Sequence, residues 1–308
     1  MTTLIEATDL HKHFARNHAV NGVSLAVQAG EAYGLVGPDG AGKTTTMRLL
    51  VGALSMDKGL VRIAGHDIHT QTEQARANVG YLAQRFSLYG DLTALENLRF
   101  FGEVRGITGA AIETRAAELF KFVGLAGFEQ RLAANMSGGM KQKLGLACAL
   151  IHQPKVLLLD EPTGGVDPVT RQDFWQLIIR LLSEGLALVV STPYMDEAVR
   201  CNRLGFMHSG RLLTEGAPRE LTASMVGRIL ELAAHPKDIV RRVALADPEV
   251  EDLLVFGDRY HLRVKSTAGP LARLPNALVS AGATVDRLRA IAPSLEDAFI
   301  SLLNKSAS

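Results

Sequence analysis

Cysteine is scarce: Cys148 and Cys201 are the only two in 308 residues, and their separation fits neither a disulfide framework nor paired metal ligands. Both are expected to be buried apolar fillers in a protein kept in a reducing compartment. Neither sign of charge is in excess, with 33 Lys and Arg against 32 Asp and Glu and a formal net charge of +1. That balance argues against a nucleic-acid binder, which needs a concentrated basic face. Long hydrophobic runs are missing too. The longest are strand-length, such as Leu186–Val190, far short of the roughly 20 residues that cross a bilayer. The segment Met1–His11 carries Glu6 and Asp9 and lacks the basic leader and apolar core of a signal peptide. There is no Pro- or Gly-rich low-complexity stretch. A hydrophobic content of 47% suits an ordered chain long enough for two domains.

Against those absences stands one dense stretch. Ala32–Val36 is apolar and runs into Gly37-Pro38-Asp39-Gly40-Ala41-Gly42-Lys43-Thr44-Thr45, and Lys43–Val51 reads as a helix. Gly37, Gly40 and Gly42 let the backbone curl until its N–H groups face one point, and the helix adds its positive end. This is a complete Walker A match, a loop that cradles phosphates. It places Lys43 for the β- and γ-phosphates of ATP, Thr44 for Mg²⁺ and Thr45 for the α-phosphate. Later in the chain, Val156-Leu157-Leu158-Leu159 ends in Asp160-Glu161. An aspartate there emerges at the carboxyl edge of a sheet, where ligands of α/β folds sit, and holds Mg²⁺ through water. Glu161 points elsewhere and is the candidate general base for attacking water.

The remaining pattern supplies a frame. Leu4–Leu10, Val20–Val27, Val61–Ile63 and Val79–Leu82 are strand candidates. From about 90 to 150 apolar residues recur at helical spacing, as in Leu95, Leu98, Phe101 and Val104, then Ala116, Leu119, Phe120 and Val123. This is a helical insert between the two phosphate motifs. Val156–Leu159 and Leu186–Val190 read as strands buried on both faces, with the helix Arg171–Ser183 as their crossover. After about Ala223 the composition shifts, which divides the chain into domains 1–223 and 224–308. The second reads strand, helix, strand, strand, helix, strand, an order that makes a small ferredoxin-like layer. A helix over Ser294–Leu303 closes it, with Ser294 as N-cap and Glu296 and Asp297 in the first turn.

Ser137-Gly138-Gly139-Met140-Lys141-Gln142 precedes the helix Met140–Leu150. With the two motifs at this spacing, the sequence resembles the nucleotide-binding subunits of ABC transporters, with Met136 where leucine is commoner. The resemblance implies an α/β fold: a P-loop NTPase core of ABC type with an antiparallel β subdomain and a helical insert, plus a small α+β C-terminal domain. It implies two ATP-binding subunits, alike or different, closing on two ATP molecules. Ser137, Gly138 and Gly139 of one would cap the γ-phosphate held by the other, with Asp167 of Gly165-Val166-Asp167-Pro168 at the seam. Phe14 would stack on adenine, and Asp39 and Ala41 would belong to the nucleotide loop. Gln84 would join Thr44 and Asp160 on Mg²⁺, act beside Glu161 in catalysis, and relay through the helical insert to a polytopic membrane permease. The runs Asp91–Leu98, Tyr194–Ala198 and Pro293–Phe299 are similar to those of ABC-2 type exporter ATPases. That likeness implies a peripheral subunit at the cytoplasmic face of the cell membrane, with no nucleic-acid partner.

Two positions depart from the family pattern. Asp39 replaces a frequent asparagine. Pro193, in Ser191-Thr192-Pro193-Tyr194, stands where the family has a histidine that senses the terminal phosphate. Proline has no side-chain donor and no backbone N–H, although it is tolerated at helix position N1, where it is expected here. Losing such a donor costs on the order of 10² or more in rate, so a slow ATPase is expected. The alternatives are a degenerate ATP-binding regulatory or asymmetric partner, and a soluble ABC ATPase acting on DNA or ribosomes. The last should carry a long coiled-coil insert or two ATPase units, and the sequence has neither.

Overall fold

The computed structural model describes residues 2–15, 17–84 and 88–306. The chain divides into two compact units, Met1–Glu215 and Gly216–Ser308. The first opens with β1 (Thr3–Phe14), β2 (Asn17–Gln28), β3 (Ala32–Val36), α1 (Lys43–Leu50), β4 (Lys58–Ile63), β5 (His66–Asp67), α2 (Thr72–Ala77) and β6 (Val79–Leu82). The helices α3 (Ala94–Val104), α4 (Ala110–Phe122) and α5 (Gly138–Leu150) follow. The unit then runs through β7 (Val156–Asp160), α6 (Pro168–Ser183), β8 (Ala187–Thr192), α7 (Met195–Ala198), β9 (Arg203–His208) and β10 (Arg211–Gly216).

Two sheets form. One is four-stranded and antiparallel, ordered β2-β1-β4-β5; the other is six-stranded, ordered β10-β9-β3-β8-β7-β6 and parallel from β9 to β6. On β2, buried Val23, Leu25 and Val27 alternate with exposed Gly22 and Ser24, the pattern of a strand with one face on the core. Every residue of β3, β7 and β8 is buried, as parallel strands covered on both faces require. Ile5, Leu10, Val27, Leu35, Met47, Leu50 and Leu158 share one core, which binds both sheets to α1. The expected strands Ala32–Val36 and Val156–Leu159 do not pair with each other, because β8 lies between them. Register then fixes the site: Val36 stands opposite Thr192, and Asp160 opposite Ser191. The loops leaving β3, β7 and β8 therefore open on one edge of the sheet. In the helical insert, Thr93 and Glu96 form a capping box that starts α3, which accounts locally for the Asp91–Leu98 run.

The second unit contains α8 (Pro218–Ala223), β11 (Ile229–His235), α9 (Lys237–Ala246), β12 (Val250–Phe256), β13 (Arg259–Val264), α10 (Ala268–Ser280), β14 (Thr284–Ile291) and α11 (Leu295–Ser306). Its sheet is antiparallel in the order β12-β13-β11-β14, which with this connectivity is the ferredoxin-like arrangement. Leu230, Leu232, Val240, Leu262, Leu274 and Leu278 form its core. α11 is bonded to the sheet through Asp297 to His261 (2.9 Å) and Asn304 to Asp252 (2.8 Å). Cys148 and Cys201 are buried, and burial, with the Glu197 charge, pushes the Cys201 thiol up to about 12. Among the described residues no helix is long and apolar enough to cross a membrane.

Candidate nucleotide-binding site

The loop between β3 and α1 needs glycine for space as well as for curvature. A Cβ on Gly37 would meet the Met207 carbonyl oxygen at 2.1 Å, and one on Gly42, at φ +106°, would meet that of Ala19 at 2.2 Å. Gly42 is the N-cap of α1 and provides no side-chain cap, so the first N–H groups of the helix are suited to an anion. Over this loop lies a cleft of about 360 Å³, lined by Phe14, Asn17, Ala19, the Asp39–Thr45 stretch, Gln84 and Glu161. Phe14 ends β1 half-exposed, with Lys12 Nζ 5.8 Å from its ring centroid.

The charged groups are tied into a network. Lys43, nearly buried, donates to the carbonyls of Gly37 (2.9 Å) and Pro38 (3.1 Å) and pairs with Glu161 at 3.2 Å. Gln84 Nε2 donates to Glu161 Oε2 at 2.8 Å. On the other side of the strand end, Thr44 Oγ1 donates to Asp160 Oδ1 at 3.1 Å, and Ser191 Oγ donates to the same oxygen at 2.6 Å. The Tyr81 hydroxyl lies 3.5 Å from Asp160 Oδ2; burial first, then the Asp160 charge, pushes it up to about 12, so it remains a donor. The two adjacent carboxylates thus face different partners. Their divergence is set by the backbone: Glu161 adopts φ +49°, with its N–H held by the Ser191 carbonyl and hydroxyl, both at 3.1 Å.

A nucleotide with Mg²⁺ fits this donor set. The glycine cradle, Lys43 and the helix end match phosphate, and a hydroxyl beside one carboxylate matches a hard cation that keeps waters and substrate oxygens as its other ligands. Among the described residues no group of at least three His, Cys, Asp or Glu forms a metal site. A substrate-bridged Mg²⁺ does not need one.

The structure brings Phe14, Asp39, Gly40, Ala41, Gly42, Lys43, Thr44, Thr45, Gln84 and Glu161 to one cleft. Gly37 and Asp160 join it through Lys43 and Thr44. Ser137, Gly138, Gly139 and Asp167 do not line it. Ser137 caps α5, accepting from Met140 N at 3.3 Å, and Asp167 caps α6, accepting from the N–H groups of Val169 (3.1 Å) and Thr170 (3.0 Å). Those bonds, the side-chain bond to Thr170 foremost, hold the Asp167 carboxyl below its ordinary value. Pro193 is not at helix position N1. α7 begins at Met195 with Tyr194 as its N-cap, because Thr192 Oγ1 accepts from Tyr194 N at 3.0 Å and turns the chain around the proline. Ser191 and Tyr81 escape the sequence reading as partners of Asp160. Only strand register joins them to it, and no spacing within one segment shows that.

The ABC transporter family model matches residues 20–164. The chain is 42% identical over 288 residues to the probable multidrug ABC transporter ATP-binding protein YbhF of Escherichia coli (strain K12), covering 92% of this chain and 49% of that protein. It is 34% identical over 307 residues to the Nod factor export ATP-binding protein I of Cupriavidus pinatubonensis, covering 99% of this chain and 92% of that one. The chain thus spans about half the length of YbhF. The dimeric post-hydrolysis state of the ATP-binding cassette MJ0796 bound to ADP and Pi matches with a TM-score of 0.64 and 26% identity, over 70% of this chain and 98% of that one. Likeness along nearly the whole of a relative, on a core that carries this cleft, leaves one conclusion: the chain belongs to the ATP-binding subunits of the ABC transporter family.

Proposed function

We propose that this chain is the ATP-binding and ATP-hydrolysing motor of an ABC-2 type exporter, driving a separate polytopic permease from the cytoplasmic face of the membrane. The Thr44–Asp160 bond at 3.1 Å carries the reading, because it aims the hydroxyl of the phosphate loop and the strand-end carboxylate at one point. Phe14 stacks on adenine, while Gly37, Asp39–Gly42, Lys43 and Thr45 surround the phosphates. Thr44, Asp160 and Gln84 would hold Mg²⁺, which would supply positive charge to the transferring phosphates. Glu161, steadied by Lys43 and Gln84, takes the proton of attacking water.

Ser137, Gly138, Gly139 and Asp167 stand outside their own cleft, which favours a second cassette, identical or different, as the holder of the nucleotide they cap. The dimer reported for MJ0796 supports such pairing, and the export function in the name of the Nod factor relative supports export here. Residues 224–308 form an accessory domain for dimer contact or regulation. Pro193 favours a second reading, an ATP-binding regulatory partner with little turnover of its own. Lys43→Ala tests the site: removing a charged donor worth roughly 1.5–3 kcal/mol should weaken ATP binding about 10- to 100-fold by titration calorimetry. Untouched ATP affinity would refute the assignment of the loop.

A further inference from the structure

One buried carboxylate has no part in the steps above. Glu197, on α7, is 1% exposed. Its Oε2 accepts from Thr192 Oγ1 at 2.6 Å, its Oε1 accepts from Thr163 Oγ1, and Arg171 Nε lies 3.5 Å from Oε1. The three partners come from three segments. Thr163 follows Glu161 closely, in the turns where Gly164 N bonds to the Glu161 carbonyl at 3.2 Å. Thr192 ends β8, between Ser191, which holds the Glu161 N–H, and Pro193. Arg171 lies on α6, the helix capped by Asp167; it also reaches Asp196 at 3.2 Å and stacks on the Tyr194 ring at 4.6 Å.

A carboxylate this far from water is unfavourable unless fully partnered, and packed apolar side chains would serve folding as well. Thr163, moreover, lies in the turn that closes on the Glu161 carbonyl, and Thr192 adjoins Ser191, which holds the Glu161 N–H. Glu161 itself sits at φ +49°, a conformation that persists in a non-glycine residue only where its surroundings over-determine it. We infer that Glu197 is a positioning residue for ATP hydrolysis: it ties the turn after Glu161 to the segment that carries Pro193, and so fixes the direction of the Glu161 carboxylate. With proline at 193 no side chain from that position can orient Glu161; the clasp holds the backbone, and Lys43 and Gln84 hold the carboxylate it presents. The inference rests on the ATPase reading above.

The test uses the 308-residue chain with Glu197→Gln and Thr163→Val, singly, together, and each on Glu161→Gln; single-turnover hydrolysis and ATP binding are measured side by side. Each substitution should slow hydrolysis roughly 10-fold or more, the scale of a misplaced reacting group, with ATP affinity unchanged. The pair should cost little more than either alone, and neither should slow the Glu161→Gln chain further. If Glu197→Gln fails to fold, Thr163→Val carries the test. Wild-type hydrolysis at wild-type affinity in the folded variants, or a further loss on the Glu161→Gln background, overturns the inference and leaves the ATPase reading intact. An unaltered chain that, with its permease and partner cassette present, binds ATP and never hydrolyses it overturns the ATPase reading instead, and this inference with it.

Discussion

Replacing Pro193 by histidine separates a working motor from a regulatory partner. Thr192 stands opposite Val36 on the neighbouring parallel strand, so residue 193 leaves the sheet about one strand spacing, roughly 4.8 Å, from Gly37. On the function proposed above, an imidazole at that point serves the terminal phosphate held beside Gly37 and Lys43. One preorganised donor at a reacting group is worth on the order of 10²–10³ in rate, roughly 3–4 kcal/mol. Losing the proline frees the unfolded chain and lowers stability by about 0.4–1 kcal/mol, or about 1–4 °C in melting temperature at this size. The rate term dominates. Steady-state phosphate release should therefore rise roughly 10²-fold, in the isolated chain and in the assembled transporter. Calorimetry should find ATP affinity nearly unchanged, because the contact strengthens as charge develops. Glu161→Gln should abolish the gain. A wild-type rate equal to or above that of Pro193→His refutes the reasoning, since another group then fills the histidine's place.

Glu161→Gln with ATP should enrich a dimer by light scattering, and Ser137→Arg should prevent it; a monomer unchanged by saturating ATP with the permease present would rule out the paired arrangement. Gly42→Ala puts a Cβ 2.2 Å from the Ala19 carbonyl oxygen at φ +106°. The left-handed backbone alone costs about 1–2 kcal/mol there, so ATP binding and melting temperature should both fall, and wild-type values for both would count against the geometry. In the second unit, burial opposes the Asp297 charge, but the bonds from His261 and Ser294 outweigh it and hold the carboxyl below the ordinary 3.8. A depressed folded value means that this stabilisation is complete above the unfolded value of about 3.9 and is lost as pH falls through the folded one. Asp297→Ala should cost about 1.5–3 kcal/mol through the lost bonds to a charged acceptor and flatten the acid limb of melting temperature against pH; an unchanged limb would place the acid sensitivity elsewhere.

Much of the fold was legible because short-range chemistry writes it. The phosphate loop lies within one run from Gly37 to Thr45, where glycine spacing and the Lys-Thr pair act through local backbone geometry. The continuous apolar runs of β3, β7 and β8 mark strands buried on both faces, and the alternation of strand and helix after Ala223 foretold the order of the small second sheet. Helix starts at Thr93, Ser137 and Asp167 are also local, each a side chain accepting from N–H groups two or three residues ahead, yet the sequence reading began the last two helices at Met140 and Arg171 where the structure begins them at Gly138 and Pro168.

What the sequence left open concerns distance across the fold. Inserting β8 between β3 and β7 brings Ser191 to Asp160 and sets Thr192 beside the phosphate loop, and that follows from strand order rather than from any motif. A local bond, the Thr192 hydroxyl accepting from Tyr194 N, decides that Pro193 precedes α7 instead of opening it. The Glu197 clasp gathers Thr163, Arg171 and Thr192 from three segments, each unremarked alone. Residue types and spacing determined which chemistry the chain carries; strand order and register determined which of those groups face one another, because a hydrogen bond a few ångströms long depends on where distant segments end.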